Sequence, residues 1–383
     1  MDAARPNAKR PKVLLTTVSI GAGHKSVAAA LEPALTAAGL DVETVDVMER
    51  VPRVFRAYYA GGFATLMSKL PWLYAFGYWL TDRPHGPGRG LMERRRLWQE
   101  RQFLRRFLRD VRRLRPDLVL HTHFVAAPHV GRLIAGGELD ARQMVVVTDI
   151  RVHRFWHAEQ VEHWFTPAEP SAATLRRWGI EDERITVAGI PLREKWSRPL
   201  DRKTIFADWK LPADKPLVVL TGGTEFLCGP VRRLARGILD ACPGVHLIVL
   251  TGRADKLARQ LEQFAEAGGR MSAVPFTDRV HELVETATLM VTKAGGVTAV
   301  ECLAKAKPMV ILKPVPGHEA GNAEYLADGG AAVVAKRNRD VPRLVADLLA
   351  RPAELKRMAD SAGRLHKPAR DTVVQKVRAA LGV

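Results

Sequence analysis

The stretch that decides the fold is Thr292-Lys293-Ala294-Gly295-Gly296-Val297-Thr298-Ala299-Val300-Glu301, and the short apolar run Leu289–Val291 precedes it. The apolar run predicts a strand. The two adjacent glycines end that strand and open a helix, so backbone N–H groups can approach a phosphate at the positive end of the helix. Glu301 falls on the second turn of this helix, where its carboxylate can accept hydrogen bonds from a ribose diol. The same pattern also occurs in α/β proteins that bind no nucleotide, so it needs support from a second motif.

That support comes from a polar loop, Pro314-Val315-Pro316-Gly317-His318-Glu319-Ala320-Gly321-Asn322. Its His, Glu and Asn side chains offer donors and acceptors that suit the hydroxyl groups of a sugar. A phosphate loop, a carboxylate and a polar loop in this order predict a site for a nucleotide-sugar.

Short apolar runs alternate with helical segments along the chain, which predicts an α/β fold with parallel sheets. Residues 193–214 are polar and include Pro199 and Pro212, so we expect a linker there. The simplest architecture is two Rossmann-like, doubly wound domains, residues 1–195 and 196–383, that face each other across a cleft, with a last helix that can cross back. The predicted strands are Val13–Val18, Val42–Val47, Leu118–His121, Met144–Thr148, Thr186–Ala188, Leu217–Thr221, His246–Thr251, Met271–Val274, Leu289–Val291 and Met309–Leu312, and helices are predicted at Lys25–Ala38 and at about 230–241.

The composition fits a folded globular protein with two cores, since the chain has 383 residues of which 47% are hydrophobic. Its three cysteines, Cys228, Cys242 and Cys302, form no Cys-x-x-Cys pair, so we expect a reducing compartment and no structural zinc. Residues 1–12 lack the apolar core of a signal peptide, and no run approaches the roughly 18 apolar residues of a membrane span. We therefore expect a cytoplasmic protein whose membrane contact is peripheral.

The positive charge is concentrated in one segment. The chain has a formal net charge of +18, and residues 83–115 contain 12 arginines against three acidic residues, a net charge of +9. Such a patch attracts nucleic acid or an anionic lipid surface, although a solvated helix face also explains it. In the predicted helix, one face carries Leu97, Leu104, Leu108, Val111 and Leu114, and another carries Arg101, Arg105, Arg109 and Arg112.

An aromatic segment precedes the basic one. Residues 54–80 hold nine aromatic side chains, and Gly61, Gly62 and Pro71 interrupt them, so the segment is not a single membrane span. Aromatic side chains beside a basic amphipathic helix are typical of a protein that lies on a membrane interface. Any one of these rings is also explained by burial in a core. We expect the membrane contacts to include Trp72 and Trp79.

The first predicted strand and helix are joined by Gly21-Ala22-Gly23-His24-Lys25-Ser26. This turn is not a Walker phosphate loop, because His24 precedes the lysine, and Ser26 stands where a dinucleotide fingerprint needs its third glycine. Asp46 at the end of the second strand keeps an NAD-type interpretation open. A histidine at a helix N-terminus has a lowered pKa and stays neutral, so His24 can take a proton from an alcohol, or it can simply line the turn.

A second group of polar residues follows a buried strand. Asp149 comes at the carboxyl end of that strand, and His153 and Trp156 lie just beyond it. Side chains at strand ends of such sheets point to the cleft. Asp149 can therefore orient or stabilise His24, or serve as the base itself.

A metal site is a weaker interpretation of the histidines. His121, His123 and His153 match no known ligand spacing. The chain also contains no Asp-x-Asp, the motif with which metal-dependent sugar transferases commonly hold Mg²⁺ or Mn²⁺. We therefore expect a metal-free site.

Together these motifs resemble those of glycolipid-forming glycosyltransferases, the group of monogalactosyldiacylglycerol synthases and processive diacylglycerol glucosyltransferases, which is related to the peptidoglycan lipid-II GlcNAc transferase. The resemblance covers roughly residues 12–335. Two positions depart from the family pattern, since Ala294 replaces a proline and His318 replaces a glutamine. The second change affects which donor sugar is expected, because histidine places its hydrogen-bond donor and acceptor differently from glutamine. The matching motifs are Gly21-Ala22-Gly23-His24 with Ala28-Ala29-Ala30, Val147-Thr148-Asp149 with His153 and Trp156, Gly189-Ile190-Pro191, residues 292–296 with Glu301, and residues 316–322.

The resemblance implies a fold of the GT-B type and an inverting, metal-independent transfer from a UDP-sugar, without a cofactor. The acceptor would be a lipid alcohol at the cytoplasmic membrane face, such as diacylglycerol or a glycosyl-diacylglycerol. We expect His24 to be the base, with Asp149 as its rival. The resemblance implies Glu301 at the ribose and His318, Glu319 and Asn322 at the sugar, and Phe276 should lie near the uracil. The donor-binding residues would be Gly222, Gly223, Arg253, Phe276, Lys293, Gly295, Gly296, Val297, Glu301, His318, Glu319 and Asn322, with Gly21, Gly23, His153 and Trp156 on the acceptor side.

Other functions remain open on the sequence. A UDP-GlcNAc 2-epimerase needs no aromatic and basic segment, and a GlcNAc transferase with a polyprenyl-linked acceptor would use a similar donor. A nucleic-acid-binding protein would explain the charge but not the nucleotide-sugar motifs. We therefore expect a UDP-hexose, a lipid acceptor and an anionic membrane surface as partners, and no nucleic acid.

Overall fold

The computed structural model describes residues 10–19, 21–57, 59, 70–82, 90–223, 231–266 and 269–383. Within these ranges strands and helices alternate, as the sequence predicts. The first half contains β1 (Lys12–Thr17), α1 (Gly23–Ala37), β2 (Asp41–Asp46), α2 (Pro71–Thr81), α3 (Leu91–Phe103), α4 (Arg105–Leu114), β3 (Leu118–His121), α5 (Ala127–Ala135), β4 (Arg142–Val146), β5 (His163–Thr166), α6 (Glu169–Arg177) and β6 (Ile185–Val187).

The second half repeats the alternation. It contains α7 (Arg202–Asp208), β7 (Leu217–Thr221), α8 (Val231–Ala241), β8 (His246–Gly252), α9 (Asp255–Glu266), β9 (Met271–Pro275), α10 (Val280–Thr286), β10 (Leu289–Thr292), α11 (Gly296–Ala304), β11 (Met309–Ile311), α12 (His318–Asp328), β12 (Ala332–Val334), α13 (Val341–Leu349), α14 (Pro352–Leu365) and α15 (Ala369–Leu381).

The strands build two parallel six-stranded sheets, with the orders β2-β1-β3-β4-β5-β6 and β12-β11-β10-β7-β8-β9. Successive residues of a strand point to opposite faces. In β1, Val13 and Leu15 pack into one core cluster, and Leu14 packs into another on the opposite face. Because helices cover both faces, the central strands are almost uniformly apolar. The predicted class of two doubly wound α/β domains is confirmed.

The C-terminal helix packs on the first sheet. Ala369, Val373 and Val377 of α15 are buried in the same cluster as Val13 and Leu15 of β1. The chain therefore returns to the first domain after the second sheet is complete, and its last helix fills part of the first core.

The expectation of a polar linker at 193–214 is wrong. This segment contains α7, and Trp196 and Leu211 are buried in the core of the second domain. The single helix expected across the basic segment is two helices that meet at Leu104. The sequence analysis also missed β5 and β12, because the first mixes polar and apolar residues and the second has only three residues.

Several residues used in the sequence analysis lie outside the described ranges. They are Tyr58 and Phe63 of the nine aromatic residues, Gly61 and Gly62 between them, Arg83 and Arg89 of the twelve arginines, Cys228, and Pro230 at the start of the helix predicted at about 230–241. Where the structure describes the chain, no helix combines the length and hydrophobicity needed to cross a bilayer.

The start of α11 joins the two domains. A Cβ atom at Gly296 would lie 2.3 Å from the carbonyl oxygen of Thr148 in the first domain, so only glycine permits this approach. The amide of Asn322 adds a second tie, since its Oδ1 accepts from Ile150 N at 3.0 Å and its Nδ2 donates to Ala294 O at 2.9 Å. These contacts set the distance between the ends of the two sheets.

Candidate active site

The polar residues predicted from the sequence lie at the carboxyl ends of strands in both sheets. His24 is in the first turn of α1, after β1, and Asp149 follows β4. In the second sheet, α11 begins at Gly296 after β10, and α12 begins at His318 after β11. His24 interacts electrostatically with both Asp149 and His318, so the two domains contribute to one cleft.

The orientation of the His24 ring is set by a backbone carbonyl. His24 Nδ1 lies 2.7 Å from the carbonyl oxygen of Thr122, and the hydroxyl of Thr148 is 3.4 Å from the same nitrogen. A carbonyl only accepts hydrogen bonds, so Nδ1 carries the proton. Nε2 of His24 is then left with its lone pair, as a base requires.

The surroundings keep His24 neutral. Burial lowers the pKa of His24, and the nearby Asp149 carboxylate and the bond to Thr122 raise it in part, while His318 lowers it. The ring also meets His123 edge to face, with 4.6 Å between the ring centroids. A neutral imidazole at physiological pH can accept a proton.

Trp156 holds the second candidate, Asp149. Its indole Nε1 donates to Asp149 Oδ2 at 3.1 Å, and the side chain is almost completely buried. Trp156 is therefore a buried support for the carboxylate, whereas the sequence analysis expected it on the acceptor side of the site.

His153 has a different role from the expected acceptor contact. Its Nδ1 accepts from Phe155 N at 3.1 Å, so Nε2 carries the proton. Nε2 lies 3.1 Å from the hydroxyl of Thr81 and 3.3 Å from the carbonyl oxygen of Tyr78. The buried His153 therefore fastens α2 to the first domain.

The glycine-rich loops of the second domain surround Lys293. The Lys293 ammonium pairs with Glu319 Oε1 at 3.2 Å, and its Cε atom lies 3.5 Å from where a Cβ of Gly223 would be. Gly222 and Gly223 follow β7, and Gly295 and Val297 flank the start of α11. The positive end of α11 and the Lys293 ammonium thus lie on the same side of the second sheet.

Asn322 does not fit the expected sugar contact. Its side chain is completely buried, and both ends of its amide are used in the bonds to Ile150 and Ala294. A sequence pattern could not separate this role from sugar binding, because the amide is chemically suited to both.

Glu301 sits in an unfavourable environment for a charge. Burial raises the pKa of Glu301 to about 8, although Arg193 and Lys195 lower it in part. Phe276, which follows β9 of the same domain, is 56% exposed, and the guanidinium of Arg253 lies 4.8 Å from its ring centroid. An exposed aromatic ring in the same domain as Glu301 can stack on a planar base.

The histidines considered as metal ligands have other partners. His121 accepts from the Thr16 hydroxyl at 2.8 Å and donates to Gln143 Oε1 at 3.1 Å. His123 Nδ1 accepts from Val125 N at 3.1 Å. Among the residues that the structure describes, no group of three or more His, Cys, Asp and Glu side chains is arranged to hold a metal ion.

The N-terminal glycine turn faces the second domain. A Cβ atom at Gly23 would lie 3.4 Å from Val297, and Gly21 has a φ of +72°. Asp46, the residue that kept an NAD-type interpretation open, accepts from Met48 N at 2.9 Å and lies 3.0 Å from the Lys25 ammonium. Its carboxylate therefore stabilises the turn.

Comparison with known proteins supports this arrangement. Residues 24–192 match the monogalactosyldiacylglycerol (MGDG) synthase family, and residues 217–375 match the glycosyltransferase family 28 C-terminal domain. The processive diacylglycerol beta-glucosyltransferase of Bacillus cytotoxicus is 25% identical over 368 residues, which are 94% of this chain and 91% of the relative. The protein of the same name from Bacillus mycoides is 26% identical over the same shares.

Solved structures share the fold. The UDP co-structure of S. aureus MnaA has a TM-score of 0.65 at 15% identity and covers 97% of both chains. MurG of Acinetobacter baumannii has a TM-score of 0.60 at 16% identity and covers 96% of this chain and 100% of its own. These structures confirm the predicted two-domain architecture of the GT-B type.

We predict opposite effects of Glu301→Gln on stability and on UDP binding. The folded protein keeps a proton on Glu301 up to about pH 8 that the unfolded chain releases near its ordinary pKa of 4.5, so this carboxyl makes stability fall as pH rises through that window. The neutral amide removes the effect, so the melting temperature of the variant should exceed that of wild type increasingly from pH 5 to about pH 8. UDP binding, measured by calorimetry above pH 8, where the Glu301 carboxyl is ionised, should weaken by about tenfold or more, as a charge-assisted bond is lost.

The matched control is Glu324→Gln, which removes the same charge from an exposed position on α12. It should change neither property. Wild-type UDP affinity in Glu301→Gln would remove Glu301 from the nucleotide site.

Proposed function

We propose that this chain moves a hexose from a UDP-sugar to a membrane lipid alcohol, because its first half matches the monogalactosyldiacylglycerol synthase family, its second half matches the glycosyltransferase family 28 C-terminal domain, and its relatives are processive diacylglycerol glucosyltransferases. The acceptor would be diacylglycerol or a glycosyl-diacylglycerol. The observation that carries the proposal is the fixed tautomer of His24, whose basic Nε2 belongs to the same cleft as the N-terminus of α11. A base and an anion-stabilising helix end are the two elements that such a transfer needs.

The proposed transfer is a direct displacement. The acceptor hydroxyl oxygen forms a bond to the anomeric carbon while the bond from that carbon to the diphosphate breaks. Nε2 of His24 takes the hydroxyl proton, and the electron pair leaves with UDP. Attack from the face opposite the leaving group inverts the configuration at the anomeric carbon.

Charged groups of the protein stabilise both the protonated base and the departing diphosphate in this step. Asp149, held by Trp156, stabilises the imidazolium that forms on His24. The free N–H groups at the start of α11 and the Lys293 ammonium stabilise the departing diphosphate. This account assigns no step to a metal, and we propose that none is needed.

In the donor complex we place the nucleotide on the second domain. Glu301 would hold the ribose, and Phe276 with Arg253 would contact the uracil. His318 and Glu319 at the start of α12 would meet the sugar.

A surface for the membrane lies on the first domain. The outer side of α2 exposes Trp72, at 67%, together with Phe76 and Trp79. Trp98 of α3 is exposed as well, and the sequence analysis missed it because it lies among charged residues. Aromatic rings of this kind anchor proteins at the membrane interface.

The basic residues form a shallow cavity beside α3 and α4. The cavity has a volume of about 340 Å³ and is lined by Arg101, Gln102, Arg105, Leu108, Arg109 and Arg112. Arg112 is also paired with Glu138 at 2.6 Å, which leaves less of its charge for a partner. We propose that this face lies on the inner, cytoplasmic surface of the membrane, where anionic lipids attract arginine.

Product analysis tests the proposed reaction. The purified protein is mixed with vesicles that contain diacylglycerol, in excess EDTA. One labelled donor is added to each sample: UDP-glucose, UDP-galactose, UDP-GlcNAc or UDP-glucuronate. One of these donors should yield a labelled lipid. Turnover that EDTA abolishes and Mg²⁺ or Mn²⁺ restores would contradict the metal-free account. Conversion of UDP-GlcNAc to its 2-epimer without lipid labelling would favour the epimerase alternative.

The base assignment predicts a pH profile. Because the protonated imidazole cannot accept a proton and burial lowers the pKa of His24, the acidic limb of kcat should lie below pH 6.5. His24→Ala should lower kcat by about 10²–10⁴-fold and leave UDP affinity nearly unchanged.

Asp149→Asn separates the two candidates for the base. Asp149 raises the pKa of His24, so its neutral variant should move the acidic limb to lower pH and keep measurable turnover. If Asp149→Asn abolishes turnover and His24→Ala is mild, the two roles are reversed.

The membrane assignment predicts salt-sensitive vesicle binding. Each arginine near an anionic surface contributes about 1 kcal/mol, and the Debye length falls to roughly 3 Å at 1 M salt. Replacement of Arg101, Arg105, Arg109 and Arg112 by Gln should weaken flotation with anionic vesicles and transfer to embedded lipid, and spare transfer to a short-chain soluble acceptor.

A matched variant removes the same charge from exposed positions of the second domain. Its changes are Arg232, Arg233, Arg339 and Arg343 to Gln. Equal flotation of the two variants would show that the basic face is only a solvated surface.

A further inference from the structure

Helix α2 has two faces with different partners. Trp72, Phe76 and Trp79 recur at helical spacing on its exposed side. Tyr74 and Tyr78 lie on the other side and pack against the polar loop of the second domain. The helix is fastened to the first domain by His153, so it extends from one domain to the other.

The contact with the second domain depends on Gly317. This residue has a φ of +108°, and a Cβ atom there would lie 3.2 Å from the Tyr74 ring and 3.1 Å from the Tyr78 ring. Glycine therefore lets the loop turn tightly beneath both rings. The next residue along the chain is His318, which we place at the donor sugar.

A hydrogen bond joins Tyr74 to this histidine. The Tyr74 hydroxyl lies 3.1 Å from His318 Nδ1, and the tyrosine is buried. Burial, together with the charges of Asp149 and Glu319, raises the pKa of Tyr74, so its hydroxyl stays protonated. In either tautomer of His318 the bond fixes the ring plane and leaves Nε2 as the second polar atom of the ring.

We propose that Tyr74 is a positioning residue for the donor sugar, and that it acts by holding His318 in one orientation. The inference rests on the proposed function, since it assigns His318 to the hexose of a UDP-hexose. It adds a residue of the first domain to a site that the sequence motifs assign to the second domain alone. A site that hydrogen-bonds a sugar hydroxyl discriminates against a sugar that places this hydroxyl differently, so the orientation of His318 bears on donor choice.

The test compares the affinity for the hexose with the affinity for the nucleotide. Tyr74→Phe keeps the ring on Gly317 and removes only the hydroxyl. It should weaken binding of the transferred UDP-hexose by about two- to tenfold, raise its KM and reduce the preference among UDP-hexoses, with UDP affinity unchanged. A purely structural role would weaken binding of UDP and of UDP-hexose alike, and that result would overturn the proposal.

Tyr78→Phe is the matched control. The Tyr78 hydroxyl is buried and has no hydrogen-bond partner within the described residues, while the ring and the carbonyl oxygen bonded by His153 stay in place. This variant should bind the UDP-hexose as wild type does. A loss equal to that of Tyr74→Phe would mean that the helix, and not the Tyr74 hydroxyl, is responsible, and would overturn the proposal.

A double-mutant cycle tests the route through His318. Tyr74→Phe should have no further effect on UDP-hexose affinity once His318→Ala is present, whereas additive losses would contradict the proposal. Wild-type protein that binds no UDP-hexose would overturn the proposed function and this inference together. Wild-type protein that binds and transfers the hexose, with Tyr74→Phe unchanged, would overturn the inference alone.

Discussion

The site depends on the close approach of the two domains at Thr148. The carbonyl oxygen of Thr148 lies against Gly296, where any side chain would collide, and its hydroxyl lies 3.4 Å from His24 Nδ1. Thr148 of the first domain therefore contacts both the start of α11 and the proposed base, His24. Val300 of the same helix is buried in the first core, and Asn322 bonds to both domains, so the spacing is supported by apolar and polar contacts together. Preorganisation of this kind is what electrostatic catalysis requires, since misplaced charges stabilise a transition state poorly.

Burial gives the groups of the cleft their chemical character. The pKa of His24 is lowered and that of Glu301 is raised, each mainly by desolvation. The neutral imidazole of His24 can accept a proton. The buried carboxyl of Glu301 resists ionisation, and hydrogen bonds donated by a ligand would stabilise its charged form. The cost appears as reduced stability at high pH, and such costs are common where binding sites conflict with folding.

Helix α2 extends from the exposed aromatic rings of the first domain to His318 of the second domain. Its outer face exposes Trp72, Phe76 and Trp79, its inner face carries Tyr74, and His153 holds it to the first domain. Two residues assigned from the sequence to the acceptor, His153 and Trp156, are instead supports for this helix and for Asp149. Buried aromatic and imidazole rings thus lie behind Asp149 and helix α2.

The sequence by itself determined the two parallel sheets, the glycine turns and the candidates His24, Asp149 and Glu301. These features are local, because an apolar strand, a glycine break and the first turns of a helix follow from neighbouring residues in the chain. Parallel strands then bring their carboxyl ends to one edge of the sheet. Only the tertiary structure decided the tautomer of His24, because Thr122 lies 98 positions away, and the role of Asn322, because Ile150 lies 172 positions away. The same holds for Tyr74 and His318, which are separated by 244 positions. A polar side chain has the same bonding groups wherever it occurs, so its role depends on partners that only folding brings within hydrogen-bond distance.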